Sequence, residues 1–386
     1  MNILFTLTVG FNPSRGGVER VTDTLTRELK RRGYNVYYLS AQNDSDNSNA
    51  AAKVFCLHRK LGDKYDRKSI SEYHNVLKEN GIDIVINQIP LSEGGLFFLD
   101  HTPPGVKKIS VYHSKPFGDF LAKLVVWKNS GVKGKLFTLY YKYKIYSTKR
   151  VFRKVIKKSD CLCMLSNSFV DELQQYLGLT SNTKLCAINN PNTFEHRGEL
   201  GNVAKEKLVI FVGRLNSFQK NTLDFIKVWE IVSKCNPSWR AEIVGADNGC
   251  RKEYDYVAKN KIERCEFVGY KTEVAEYYSK ASMICVTSHF EGWPMVLNEA
   301  MSYGCVPIAY TTYSSIYDFI VDGKNGCLIA PYNITQMADK VQFLIDNPME
   351  MERLSACAAE SMDRFKVEYI VDEWEELLNR VSIYGR

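Results

Sequence analysis

Short apolar runs alternate with helical patterns from one end of the chain to the other. In the first half the runs are Ile3–Val9, Val36–Ser40, Lys53–Leu57, Ile82–Asn87, Lys108–Tyr112, Cys161–Leu165 and Leu185–Asn189. Between them lie stretches such as "ERVTDTLTRELKRRG", where Val21, Leu25 and Leu29 recur at helical spacing and Gly33 supplies a stop. Around "NPNTFEHRGELGNVAKEK" the pattern breaks into Pro, Asn, Gly and charge, which marks a linker. The alternation then resumes with "KLVIFVGRL", "AEIVGA", "CEFVG", "SMICVTS" and "VPIAY". Strand and helix in strict alternation predict parallel sheets covered on both faces. The chain therefore reads as α/β, with two doubly wound Rossmann-like domains facing a central cleft. The expected bounds are 1–190 for the first domain, 191–206 for the linker and 207–365 for the second. The amphipathic stretch "YIVDEWEELLNRV" follows the second domain's last strand, as a terminal helix over about 366–386.

Composition narrows the class. No apolar run is long enough to cross a membrane as a helix. The opening "MNILFTLTVG" lacks a basic head and a small-residue cleavage pattern, and reads as a first buried strand. Eleven scattered cysteines without a C-x-x-C pair read as reduced core thiols of a cytoplasmic protein. The six histidines show no metal spacing. Net charge is +7, but the positive charge is concentrated in Lys115–Lys158, where Asp119 is the lone acid. Trp, Phe and Tyr interleave with those cations in "KLFTLYYKYKIYSTKRVF". Such a mixture suits an anionic bilayer surface, where stems and rings enter the interface and charges meet phosphates. A solvated helical face and a nucleic-acid patch are the alternatives, and nucleic acid fits least.

The candidate chemistry sits where strands end. In "SHFEGWPMVLNEAMSYG", Glu291 precedes a helix that Pro294 should open, and Glu299 lies within it. At about 100° per residue, Val296, Leu297, Ala300 and Met301 face the sheet. Glu299 is then expected on the opposite side, with Met295 and Ser302. Carboxylates accept hydrogen bonds from sugar hydroxyls, and the helix tip between them favours phosphate. That arrangement suits a nucleotide sugar, although a lone pair of acids at this spacing also fits a solvated helix face. Arg214 and Lys220, beyond the strand "KLVIFV", could neutralise a pyrophosphate or be loop charges. Gly16–Gly17 opens a helix after the first strand and permits close backbone approach. His113 ends the strand "KKISVYH". No G-x-G-x-x-G occurs, which argues against a nicotinamide enzyme.

These residues together resemble glycosyltransferase family 4, the retaining nucleotide-sugar enzymes of the GT-B fold. "VGRLNSFQKN" is similar to its phosphate motif, "EGWPMVLNEAMSYGCVPIA" to its E-x7-E region, "GGVERV" to its first glycine-rich loop and "VYHS" to the strand ending in a site histidine. The resemblance implies that the terminal helix crosses back to the first domain, which binds acceptor, while the second binds donor. It implies that Arg214 and Lys220 hold the donor diphosphate and that Glu299 binds the ribose. It implies that Glu291 holds a sugar hydroxyl, aided by the N–H groups of Gly292, Trp293 and Met295. Gly16 and Gly17 would face the donor phosphate and sugar, His113 the sugar and acceptor, and Tyr270 the base. Pro294 and Asn221 stand where the family more often has Gly.

The expected activity is transfer of a hexose, with retention, from a UDP-sugar to a glycan or lipid-linked acceptor in surface polysaccharide or lipopolysaccharide biosynthesis. Arg214, Lys220 and the helix tip would stabilise the leaving diphosphate. No metal or other cofactor is expected. Asp44 and Asp46 form a D-x-D, but inside a polar Ser/Asn loop away from the donor motifs. The expected partners are the donor, the acceptor and an anionic membrane surface reached through 115–158, with no nucleic acid. The expected location is cytoplasmic, on the inner face of the cell membrane. A non-hydrolysing sugar-nucleotide epimerase and a non-catalytic membrane-binding module are the rival readings.

Overall fold

The computed structural model describes residues 1–42, 49–60, 62–127, 131–180, 183–194, 204–215, 218–247 and 249–383. Asp44, Asp46 and most of the expected linker lie outside the described residues. The chain divides into two compact units, Met1–Thr193 with Lys366–Arg386, and Phe194–Phe365.

In the first unit the strands are β1 (Asn2–Leu7), β2 (Asn35–Ser40), β3 (Lys53–Cys56), β4 (Ile84–Asn87), β5 (Lys107–Tyr112), β6 (Cys161–Met164) and β7 (Leu185–Ala187). They form one parallel sheet in the order β3-β2-β1-β4-β5-β6-β7. The helices are α1 (Gly17–Arg31), α2 (Arg67–Glu79), α3 (Glu93–His101), α4 (Gly118–Trp127), α5 (Gly131–Lys158) and α6 (Asn167–Leu177). β4 and β6 are buried at every position, as covered parallel strands require.

The second unit holds β8 (Glu206–Val212), α7 (Thr222–Val232), β9 (Arg240–Val244), α8 (Arg251–Lys259), β10 (Cys265–Gly269), α9 (Ala275–Lys280), β11 (Ala281–Val286), α10 (Met295–Ser302), β12 (Val306–Tyr310), β13 (Cys327–Ile329), α11 (Ile334–Asp346) and α12 (Pro348–Ser361). Its parallel sheet runs β10-β9-β8-β11-β12-β13. The three-residue β13 escapes the apolar pattern because a run that short carries no period. In both sheets the order reverses beside the first strand, at β1/β4 and at β8/β11. Loops that leave such neighbouring strands in opposite directions leave a crevice at their carboxyl ends.

The terminal helix α13 (Val367–Ile383) belongs to the first unit, where it packs on α1. Ile370, Val371, Trp374, Leu377 and Leu378 form its buried stripe. Arg32, just past α1, fixes it with charge. Its guanidinium reaches Glu28 at 2.8 Å, and Asp372 and Glu375 at 2.5 Å each. Hydrogen bonds from Arg31 and Arg32 hold the Glu28 carboxyl down to about 2. All eleven cysteines are free thiols.

Candidate functional site

In the second unit the two motifs meet because β8 and β11 are neighbours. The loops beyond them are bonded to each other. The His289 N–H donates to the Gln219 carbonyl at 2.8 Å, and the Thr287 hydroxyl to the Asn221 carbonyl at 2.9 Å. This fastening puts the Lys220 ammonium 2.8 Å from Glu291 Oε1. Ser288 Oγ donates to the same oxygen at 2.6 Å, and Gln219 Nε2 to Oε2 at 2.8 Å. Arg214 Nη2 in turn donates to Gln219 Oε1 at 3.3 Å. Glu291 is only 4% exposed, so its charge is acceptable there because three donors surround it.

Backbone approach decides the space around Lys220. The lysine stem packs on Gly213, where a Cβ would come within 3.2 Å of it. A Cβ on Gly245 would stand 1.7 Å from the Gly213 carbonyl oxygen, so only glycine fits there. Asn221 caps α7 with φ 51°, a left-handed conformation that Asn tolerates better than most residues with a side chain. The requirement for φ > 0 explains why glycine and asparagine can exchange at this point.

The loop from Glu291 to α10 departs from expectation in three ways. Helix α10 starts at Met295, with Pro294 as its cap at φ −74°, ψ 84°. That tight turn bonds the Met295 N–H to the Trp293 carbonyl at 2.8 Å, so this amide is already engaged. Glu299 is not on a wet face. It is 2% exposed and accepts a 2.9 Å hydrogen bond from the Tyr278 hydroxyl of α9. The helix packs against β11 and β12 on one side and α9 and α12 on the other, which also buries Ser302. Trp293 is buried against Phe319 and Phe365, and its indole Nε1 has no hydrogen-bond partner among the described residues. Thr312 Oγ1 donates to the Ser288 carbonyl at 2.6 Å and Ser315 Oγ to that of Gly292 at 3.1 Å. The segment after β12 thus buttresses the Glu291 loop. Tyr270 follows β10 and is 59% exposed.

In the first unit, Gly16 caps α1 and Gly17 is its first residue. A Cβ on Gly16 would meet the Glu19 carboxylate at 2.8 Å. His113 lies just past β5, and its Nε2 bonds Gln88 Oε1. Gln88 Nε2 donates to Thr22 Oγ1 at 3.1 Å, and that hydroxyl donates to the Val18 carbonyl at 2.8 Å. The relay fixes the tautomer: Gln88 turns its oxygen to the imidazole, so Nε2 carries the proton. Nδ1 is left as a buried acceptor with no partner among the described residues. Burial pushes the imidazole down to about 4, which keeps it neutral near pH 7.

Two family models match the chain in succession. The one described as Glycosyltransferase Family 4 covers residues 15–191, and the one described as Glycosyl transferases group 1 covers 192–361. The chain belongs to the glycosyltransferases. It is 28% identical over 195 residues to an uncharacterised glycosyltransferase of Haemophilus influenzae, which is 50% of this chain and 55% of that protein. It is 28% identical over 178 residues to the GalNAc-alpha-(1->4)-GalNAc-alpha-(1->3)-diNAcBac-PP-undecaprenol alpha-1,4-N-acetyl-D-galactosaminyltransferase of Campylobacter jejuni, 46% of this chain and 49% of that one. The matches thus span about half the length of these curated relatives. Among solved structures, the Anabaena protein HepE in complex with UDP and glucose superimposes with a TM-score of 0.76 at 16% identity, covering 98% of this chain and 100% of that one. The fold is GT-B.

In this glycosyltransferase the structure gathers Arg214, Lys220 and Glu291 into one cluster, and Gly292 and Trp293 follow Glu291 in its loop. Glu299 sits one helical turn and more behind them, and Tyr270 at the end of β10. Gly16, Gly17 and His113 belong to the first unit. Sequence reasoning missed Gln219 and Ser288, which complete the shell of Glu291, and the relay of Gln88 and Thr22. Gln219 abuts Lys220 and Gln88 follows β4, so position at a strand end was the available signal.

Proposed function

We propose that this glycosyltransferase moves a hexose from a UDP-sugar to a hydroxyl of a glycan or lipid-linked acceptor, with retention, in surface polysaccharide or lipopolysaccharide assembly. The observation that carries the reading is the cluster of Arg214, Gln219, Lys220 and Glu291. Two cations joined to a buried carboxylate suit a ligand that is anionic at one end and hydroxylated at the other. The named substrates of relatives point the same way: the Campylobacter enzyme is named for a glycan on PP-undecaprenol, and HepE is complexed with UDP and glucose.

The steps follow from the charges. The diphosphate draws Lys220 and Arg214 to its oxygens, and Glu291 gains capacity to accept a sugar hydroxyl. Glu299, which accepts a hydrogen bond from Tyr278, binds the ribose hydroxyls. The bond between the anomeric carbon and the phosphate oxygen breaks as the acceptor oxygen bonds to that carbon from the same face. The leaving phosphate takes the acceptor's proton. Fixed cations that stabilise the departing diphosphate contribute on the order of 10²–10³ in rate. The N–H groups of Gly292 and Trp293 line the sugar, while Gly16 and Gly17 face the donor phosphate and sugar, and His113 the sugar and the acceptor. Tyr270 meets the base. The reaction proceeds without a metal, at an anionic membrane surface on the inner side of the cell.

A screen of UDP-, GDP- and ADP-sugars, scored by nucleotide release with a membrane extract as acceptor source, tests the reading. Release from a UDP-hexose that persists in chelator is expected. Isomerised sugar nucleotide without transfer, or loss of activity in chelator, overturns it.

A further inference from the structure

Nine of the twenty exposed large apolar side chains among the described residues lie between Val125 and Tyr146, in the pair of helices α4 and α5. Helix α5 has two apolar faces. One is ordinary: Ile145, Phe152, Val155 and Ile156 pack into the core of the first unit. The other points away from it. Leu136, Leu139, Tyr140, Tyr143 and Tyr146 recur at spacings of three and four, and are 67%, 70%, 50%, 64% and 60% exposed. At about 100° per residue they form one stripe opposite the packed face. Lys135, Lys142 and Lys149 run along one border of that stripe, and Lys133 and Lys144 along the other. The end of α4 extends the patch with Val125, Val126 and Trp127, whose ring lies 5.0 Å from that of Phe137.

The cations of the segment are not equivalent. Lys154 and Lys158 pair with Asp100, and Lys123 with Asp119. Of the lysines bordering the stripe, Lys133, Lys135, Lys142 and Lys144 belong to the first four turns of α5, while Lys149 lies further on, over the Tyr176 ring. No helix among the described residues is long and apolar enough to cross a membrane. An apolar stripe rich in tyrosine, with lysines on both borders, has the composition of a helix lying in a bilayer interface.

We propose that the outward face of α5, from Leu136 to Tyr146, with the end of α4, seats the protein on an anionic phospholipid bilayer. Leu136, Leu139 and Tyr143 enter the headgroup boundary, and the bordering lysines meet lipid phosphates. A second copy of the chain fits the face less well, because an opposing stripe would bring its own lysine borders against these. The inference deepens the proposed function, and rests on it for the reason a membrane-borne acceptor would be met here.

Co-sedimentation with vesicles tests it, using phosphatidylcholine alone and phosphatidylcholine with phosphatidylglycerol. The full chain is compared with Leu139→Ser/Tyr143→Ser and with Lys133→Gln/Lys135→Gln/Lys142→Gln/Lys144→Gln. Apart from half-buried Lys144, both variants change exposed positions, and unchanged melting verifies their folding. The parent should partition to the anionic vesicles alone. The four-lysine variant should lose on the order of 10²–10³-fold in partition, since each lysine near a charged surface is worth about fivefold. The Ser variant should lose binding at equal charge. No sedimentation of the parent, equal binding by all three, or a solution dimer abolished by the Ser variant would overturn the proposal. If vesicle binding fails while donor turnover continues, only this proposal falls. If vesicle binding holds and no sugar is transferred, only the functional reading falls.

Discussion

Lys220 and Glu291 form an ion pair, Nζ to Oε1 at 2.8 Å, across the loops of two neighbouring strands that are far apart in sequence. Their side chains are 14% and 5% exposed. Each therefore meets the other before any ligand arrives, and under the proposed function a diphosphate would have to draw Lys220 toward itself. Lys220→Ala should lower kcat with a UDP-sugar on the order of 10²–10³-fold. It should also cost roughly 1–3 kcal/mol of stability, because Glu291 keeps only Ser288 and Gln219 as donors. Denaturant melts of Lys220→Ala, Glu291→Gln and the double variant measure the coupling. Additive losses would mean that the pair is not formed in solution.

Gln219 joins Arg214 to Glu291, so it acts through both. Gln219→Ala should change kcat/KM by roughly tenfold, consistent with loss of about one hydrogen bond to a charged group. Restoration by Gln219→Asn is not expected, since the shorter side chain cannot span the two partners. Steady-state kinetics with varied donor decide this.

The His113 imidazole gives a signed dependence on pH. Its folded pKa, about 4, lies below the unfolded value near 6.5. As pH falls the unfolded chain binds a proton first. This group's contribution is therefore complete above about pH 6.5 and is lost on the way down to about 4. The loss should be on the order of 1–3 kcal/mol, and His113→Asn should flatten that part of the profile. Thermal melts across pH 4–8 in both proteins read it directly, and parallel profiles would count against the buried neutral imidazole.

Gly245→Ala should prevent normal folding of the second unit, because the new Cβ would lie 1.7 Å from the Gly213 carbonyl. Backbone cannot yield there without displacing Lys220. By contrast Asn221→Gly should be nearly neutral, and Asn221→Ala should cost about 1 kcal/mol through its left-handed φ. Expression and melting of the three variants give the comparison.

Arg32→Ala should loosen α13 from α1 by roughly 1–3 kcal/mol, since Glu28 is 7% exposed and loses one of its two guanidinium partners. Hydrogen exchange should rise in 367–383 while the second unit stays unchanged.

The alternation of strands and helices was legible without coordinates, because burial on both faces dictates continuous apolar runs. The placement of Arg214, Lys220 and Glu291 past the ends of neighbouring strands was legible too, since it follows from where the apolar runs stop. The burial of Glu299 was not legible. One helix's periodicity can assign the sheet-facing side, but it says nothing of what covers the rest. Here α9 and α12 close over it, and Tyr278 supplies the donor. The engaged Met295 amide was hidden for a similar reason, as the ψ of Pro294 is set by the turn and not by residue type.

Sequence alone determined the two parallel sheets, the basic aromatic segment and the positions past strand ends that carry charge. These follow from local period and composition, which need no partner. Tertiary structure decided which donors saturate Glu291, which nitrogen of His113 holds the proton, and which face of α5 stays uncovered. Each depends on a side chain distant in sequence, and only the order of strands and the packing of helices bring that side chain near.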